Sequence, residues 1–142
     1  MRKTIAAMVA VALLAIFMAW SFMPKPEGVS KVVLEFFPEG KVELTSGMLR
    51  VIDASSGAVR EEKAITEEDF KELEGMLLSA DFRDLPDIIK ADVPDGSACT
   101  QSSLTITVTF KDGTTRTVKV EGCAKEPAIV TRIFGKVSSL RQ

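Results

Sequence analysis

The chain has no histidine, no tyrosine and no asparagine, and only two cysteines and one tryptophan among its 142 residues. Without histidine there is no Ser-His or Cys-His dyad, no imidazole base and no usual catalytic zinc site. Without asparagine there is no acceptor for N-glycosylation. A cationic excess is missing too. With Arg2 and Lys3 set aside, 16 basic and 20 acidic residues remain, a net charge of −4. That balance argues against nucleic acid and against a polybasic membrane contact. Together these absences predict a protein that is not an enzyme and carries no cofactor or metal.

What is present begins with a long apolar run. Met1-Arg2-Lys3-Thr4 leads into an uncharged stretch from Ile5 to Met23, broken only by Ser21 and closed by Pro24-Lys25-Pro26. At about 1.5 Å per residue, these nineteen residues would give a helix of roughly 28 Å, close to the hydrocarbon thickness of a bilayer. Residues 1–23 therefore read as a single-pass transmembrane signal-anchor. Arg2 and Lys3 lie on the cytoplasmic side and the rest of the chain outside the cell membrane. The competing reading is a signal peptide cut after Ala19-Trp20-Ser21, which would release a secreted domain from Phe22. The length of the run, and Trp20 and Phe22 at its outer end where aromatic rings favour the interface, support the anchor. No cysteine stands near the run, so lipoprotein-type attachment is excluded.

Residues 24–30 are polar with two prolines and read as a linker, and residues 31–142 as one extracytoplasmic domain. Val32-Val33-Leu34-Glu35-Phe36-Phe37 reads as a buried strand and Pro38-Glu39-Gly40-Lys41 as a turn. Val42–Leu44 and Met48–Asp53 read as strand interrupted by Ser46-Gly47, and Ala58–Ala64 as a polar edge strand. Thr66 followed by Glu67-Glu68-Asp69 starts a helix, because its hydroxyl can cap free amides and the acids meet the positive end of the dipole. Phe70, Leu73, Leu77 and Ala80 form its apolar stripe. Phe82, Leu85 and Pro86 follow as a turn, and Lys90 to Ala98 as a loop. Pro127 heads a last helix with Val130, Ile133, Val137 and Leu140 on one side. The order is β-β-β-α-β-β-α, and the fold class α+β, with an antiparallel sheet and two helices on one of its faces.

Leu104, Ile106, Val108 and Phe110 alternate with Thr105, Thr107 and Thr109, which marks a strand with one buried and one wet face. Parity then fixes the hairpin register. A two-residue loop at Asp112-Gly113 would put Val118 opposite Thr107 and send apolar residues to opposite faces. A three-residue loop, Lys111-Asp112-Gly113 with Gly113 left-handed, sets Val118 opposite Ile106 and Val120 opposite Leu104. Extended outward, that ladder places Cys123 opposite Gln101 and makes Cys99 and Cys123 diagonal neighbours on the polar face. In an oxidising compartment the two are expected to form a disulfide.

Three constellations invite chemistry. Asp81, Asp84, Asp87, Asp92 and Asp95 surround the 81–95 loop, yet their spacing is not that of a calcium loop, and turns and caps want aspartate there. Glu61-Glu62 with Glu67-Glu68-Asp69 could pair carboxylates, and Ser30-Lys31 could form a dyad, but both sit where solvated side chains are ordinary. The hydroxyl row of Thr105, Thr107, Thr109, Thr115 and Thr117 is the candidate docking surface, for a partner's face or for an added strand.

From Ile65 onward, three segments resemble the emfourin-type domain, a protein inhibitor of protealysin-like metalloproteases. They are Thr66–Ser79 running into Ala80-Asp81-Phe82-Arg83-Asp84-Leu85-Pro86, Leu104 through Val120, and the Pro127-headed helix, about half of the chain. The resemblance implies a non-enzymatic protein-binding fold. The membrane segment and the cysteine pair depart from that family's small soluble form, and no inhibitory residue carries over. The expected function is a membrane-tethered protein-binding module, with protease inhibition as its sharpest form. An envelope structural or ligand- or cation-sensing domain is the alternative.

Overall fold

The computed structural model describes residues 8–12, 28–36, 39–92 and 103–142. Within the apolar run only residues 8–12 are described, and they are helical. The expected transmembrane helix otherwise falls outside the described residues. Among those described, no helix is long and apolar enough to cross a membrane.

The domain is α+β. Seven strands form one sheet: β1 (Val29–Phe36), β2 (Gly40–Thr45), β3 (Met48–Asp53), β4 (Val59–Ala64), β5 (Ile88–Ile89), β6 (Leu104–Phe110) and β7 (Thr115–Val120). Helices α1 (Glu67–Leu78), α2 (Ala80–Arg83) and α3 (Ala128–Arg141) complete it. The spatial order is β4-β3-β2-β1-β6-β7-β5. Neighbours are antiparallel except β5, which runs parallel to β7, so the sheet is mixed rather than wholly antiparallel.

Cross-strand register sorts the side chains into two faces. Val32, Leu34, Val42, Leu44, Leu49, Leu104, Ile106, Val108, Val118 and Val120 share one face and are buried with Phe70, Leu73 and Leu77 of α1 and Val130, Ile133 and Val137 of α3. Both long helices thus cover the same side of the sheet, as expected. The hairpin register also matches: Leu104 faces Val120 and Ile106 faces Val118. Gly113 has φ +85°, the Phe110 amide donates to the Thr114 carbonyl at 2.8 Å, and the Gly113 amide donates to the Phe110 carbonyl at 3.0 Å.

Several boundaries differ from the sequence reading. Ser46-Gly47 is a two-residue hairpin turn rather than an interruption, since Thr45 pairs with Met48 and Gly47 supplies φ +96°. The stretch read as one strand is therefore two. The domain begins before Lys31: Val29 is buried in β1 and its amide donates to Glu74 Oε2 at 2.8 Å. The β6–β7 ladder does not continue to Cys123. The chain turns after Val120, the Ala124 amide donates to the Glu121 carbonyl at 3.1 Å, and Cys123 has φ +65°. Cys123 is disulfide-bonded. Cys99 and Gln101 lie outside the described residues.

The helix ends follow local chemistry. Thr66 Oγ1 accepts from the Asp69 amide at 3.1 Å and donates to Asp69 Oδ2 at 2.8 Å. Ser79 serves two helices, donating to the Met76 carbonyl at 2.6 Å and accepting from the Phe82 amide at 3.4 Å. α2 ends on Arg116, whose guanidinium donates to the carbonyls of Phe82, Arg83 and Leu85 and lies 5.5 Å from the Phe82 ring centroid.

Candidate docking surface

The second face of the sheet carries the candidate threonine row. Successive cross-strand partners line up in three rows running across six strands. One row is Ala64, Met48, Thr45, Lys31, Thr109 and Thr115; the next is Glu62, Arg50, Glu43, Val33, Thr107 and Thr117. The third is Val59, Ile52, Lys41, Glu35, Thr105 and Lys119. All five predicted threonines thus share one face, with Thr107 Oγ1 and Thr117 Oγ1 3.3 Å apart. At about 4.8 Å between strands the face is roughly 24 Å wide. The buried residues of α1, α2 and α3 join the core of the opposite face, so none of these three helices lies over it.

Sequence reasoning missed the part of this face that comes from β1, β2 and β3. β1 was expected to be buried throughout, yet Val33 is only half-buried and Glu35 is exposed. The signal was Glu35 inside the apolar run, two residues from Val33 and four from Lys31, a period-two polar trace. Charges on the face are matched locally: Arg50 Nε meets Glu62 Oε2 at 3.0 Å and Lys31 Nζ lies 3.7 Å from Glu43 Oε2. Such exposed pairs contribute little to stability. They leave the face polar, near neutral and rich in hydroxyls.

The middle of the third row deepens into a cavity of about 370 Å³. Glu35, Lys41, Ile52 and Thr105 of that row line it together with Gly40, Asp53 and Ser103. The β3–β4 turn beside it is built on Asp53. Its Oδ1 accepts from the amides of Ser55 at 2.8 Å and Ser56 at 3.0 Å, and from the Ser55 hydroxyl, while Arg60 pairs with Oδ2. The Ser55 hydroxyl first, then the Ser56 and Ser55 amides, hold this carboxyl far below the usual range, with Arg60 adding to the effect. Its acceptor sites are occupied by the turn, so Asp53 is an architectural carboxylate.

Several other carboxylates are committed as well. Lys136 of α3 reaches Asp69 at 2.9 Å and Glu72 at 2.5 Å, tying α3 to α1. Lys136 and then the Thr66 hydroxyl lower the Asp69 carboxyl, and Glu72 followed by Asp69 raises Lys136. Glu67 meets Lys71 at 3.0 Å. The suspected carboxylate pair is therefore divided among separate partners. Ser30 Oγ donates to the Thr109 carbonyl at 3.0 Å, which commits the hydroxyl of the Ser30-Lys31 dyad to backbone. Asp81 lies in the first turn of α2, Asp84 is its C-cap, and the Asp87 carbonyl accepts from the Lys119 amide at 2.8 Å to seat β5. Asp95 lies outside the described residues. Among the described residues no group of three or more acidic or cysteine side chains is placed to hold a metal ion.

The depressed carboxylates set a pH dependence. Unfolded aspartates take up protons near pH 3.9, and Asp53 and Asp69 do so lower in the folded state. Their contribution is complete above about pH 4 and is lost as pH falls toward the folded values. Lys136 has the opposite sign: its contribution persists until pH rises past the ordinary lysine range. The melting temperature should hold from neutral pH down to about 5 and fall below about 4, less steeply in Asp53→Asn. Superimposable acid profiles for the wild type, Asp53→Asn and Asp69→Asn would contradict this.

A scan against protein-family models, a search of curated proteins and a search of solved structures found no match to the chain.

Proposed function

We propose that this chain is a membrane-tethered, extracytoplasmic protein-binding module that receives its partner on the open face of the sheet. The observation that carries the reading is a sheet face left uncovered by α1, α2 and α3, beside an edge strand guarded against strand addition. The edge strand β4 holds Arg60, Glu61, Glu62 and Lys63, and Lys63 shares the covered face with Leu49. Its pairing to β3 is interrupted between Val51 and Ile52. Charge on an edge, an inward lysine and a bulge all oppose strand addition. The other edge, β5, has two residues. Of the two docking modes expected for the threonine row, the face is favoured over augmentation. The tether comes from the apolar run 5–23, and the outside placement from Arg2 and Lys3 ahead of it. Protease inhibition is the finer form of the proposal, suggested by the emfourin resemblance, and makes a metalloprotease the first partner to assay.

A photo-crosslinking residue at Thr107 in the native membrane should give an adduct with another protein, while one at Glu68 on the helix side should not. Thr107→Arg should weaken capture about tenfold, equivalent to about 1.4 kcal/mol near an interface centre, with an unchanged melting temperature. Adducts formed from the helix side alone would refute docking on the face. Ligand sensing is a second reading, favoured by the 370 Å³ cavity, which falls in the range of about 300–1,000 Å³ usual for small-molecule sites.

A further inference from the structure

The place where the chain enters the domain fixes which end of the sheet faces a membrane. The entry point is held twice: the Gly28 carbonyl accepts from the Lys111 amide at 2.9 Å, and the Val29 amide donates to Glu74 Oε2 at 2.8 Å. Gly28 is closely covered, since a Cβ there would lie 2.7 Å from Lys111 Cδ. The first of the three rows defines this end. It carries the Ser46-Gly47 turn after Thr45, the Lys111-Asp112-Gly113 turn after Thr109, and the end of β4 at Ala64. The opposite end carries Gly40, the turn after Asp53, Ser103 and the cavity.

Between Met23 and Gly28 lie only Pro24-Lys25-Pro26-Glu27. Four residues reach at most about 14 Å, and two prolines stiffen them. β1 then runs away from the entry point for eight residues, roughly 26 Å. The strand is longer than the tether, so turning the cavity end onto the bilayer would require the domain to swing over on a link shorter than itself.

We propose that the domain has one fixed polarity: the end bearing the Ser46-Gly47 and Lys111-Asp112-Gly113 turns rests beside the lipid surface, and the cavity end is held outward. The proposal rests on the tethered reading above. It places the open face as a side wall rising from the bilayer, reached by a partner whose contacting part stands roughly one strand length above the lipid. The test uses the full chain in phosphatidylcholine vesicles with spin-labelled headgroups, and a fluorescent residue at exposed Ser46 or exposed Ala54. Quenching should be several-fold stronger from Ser46. Equal or reversed quenching in protein that floats with the vesicles overturns the polarity alone. Protein that fails to float overturns the tether, and the polarity with it.

Discussion

Phe82→Ala should lower the unfolding free energy by about 3–5 kcal/mol, the usual cost of emptying a fully buried aromatic site. Phe82 is 0% exposed and the largest of the fully buried side chains. Its position multiplies the consequence. The four-residue α2 is too short to hold itself, and it is fixed at one end by Ser79 and at the other by Arg116. The ring also lies beneath the Arg116 guanidinium, a cation–π contact that truncation would remove. The carbonyls that Arg116 satisfies would then move away from it, and β5, five residues further on, would lose its support. For a domain whose whole stability is on the order of 5–15 kcal/mol, urea unfolding followed by far-UV circular dichroism should show the midpoint falling sharply. A loss below about 1 kcal/mol would mean that the site collapses around the smaller side chain.

Gly40→Ala should cost about 2–3 kcal/mol, combining a glycine-only backbone with a steric clash. Gly40 has φ +143°, and a Cβ there would stand 2.7 Å from the Ile52 carbonyl oxygen. That oxygen is main chain in β3, whose ladder with β2 runs from Gly40–Asp53 to Thr45–Met48, so it cannot yield without disturbing the pairing. Gly47 supplies the internal comparison. It also has positive φ, +96°, but a Cβ there would meet nothing within 4 Å. Gly47→Ala should therefore cost only the left-handed conformation, about 1–2 kcal/mol. Equal losses at the two positions, measured by the same urea titration, would discard the steric account.

Much of this fold could be read residue by residue, and the limits of that reading are physical. The β6–β7 register was legible because strict alternation and a glycine-bearing turn leave one parity that keeps Leu104, Ile106, Val118 and Val120 together. The start of α1 was legible because a threonine followed by three acids is a complete local cap. β5 was not, since two isoleucines carry no periodicity and the strand exists only through β7: Asp87 accepts from Lys119, and Ile89 accepts from Glu121. Arg116 broke the apolar alternation of β7 for a distant reason, the free carbonyls of α2. The threonine half of the candidate face followed from local alternation. Its other half depended on β1 pairing with β6 across about half of the chain, a long-range register that no local pattern encodes.

The charged rim of β4 has a consequence for copies of the chain among themselves. On the tethered reading proposed above, anchoring would confine molecules to two dimensions, where neighbours would meet at a high effective concentration and an open strand edge would template chain after chain into ribbons. With Lys63 on the covered side of that edge and its ladder to β3 broken beside Ile52, crowding on a surface would raise the density of available faces without starting a polymer.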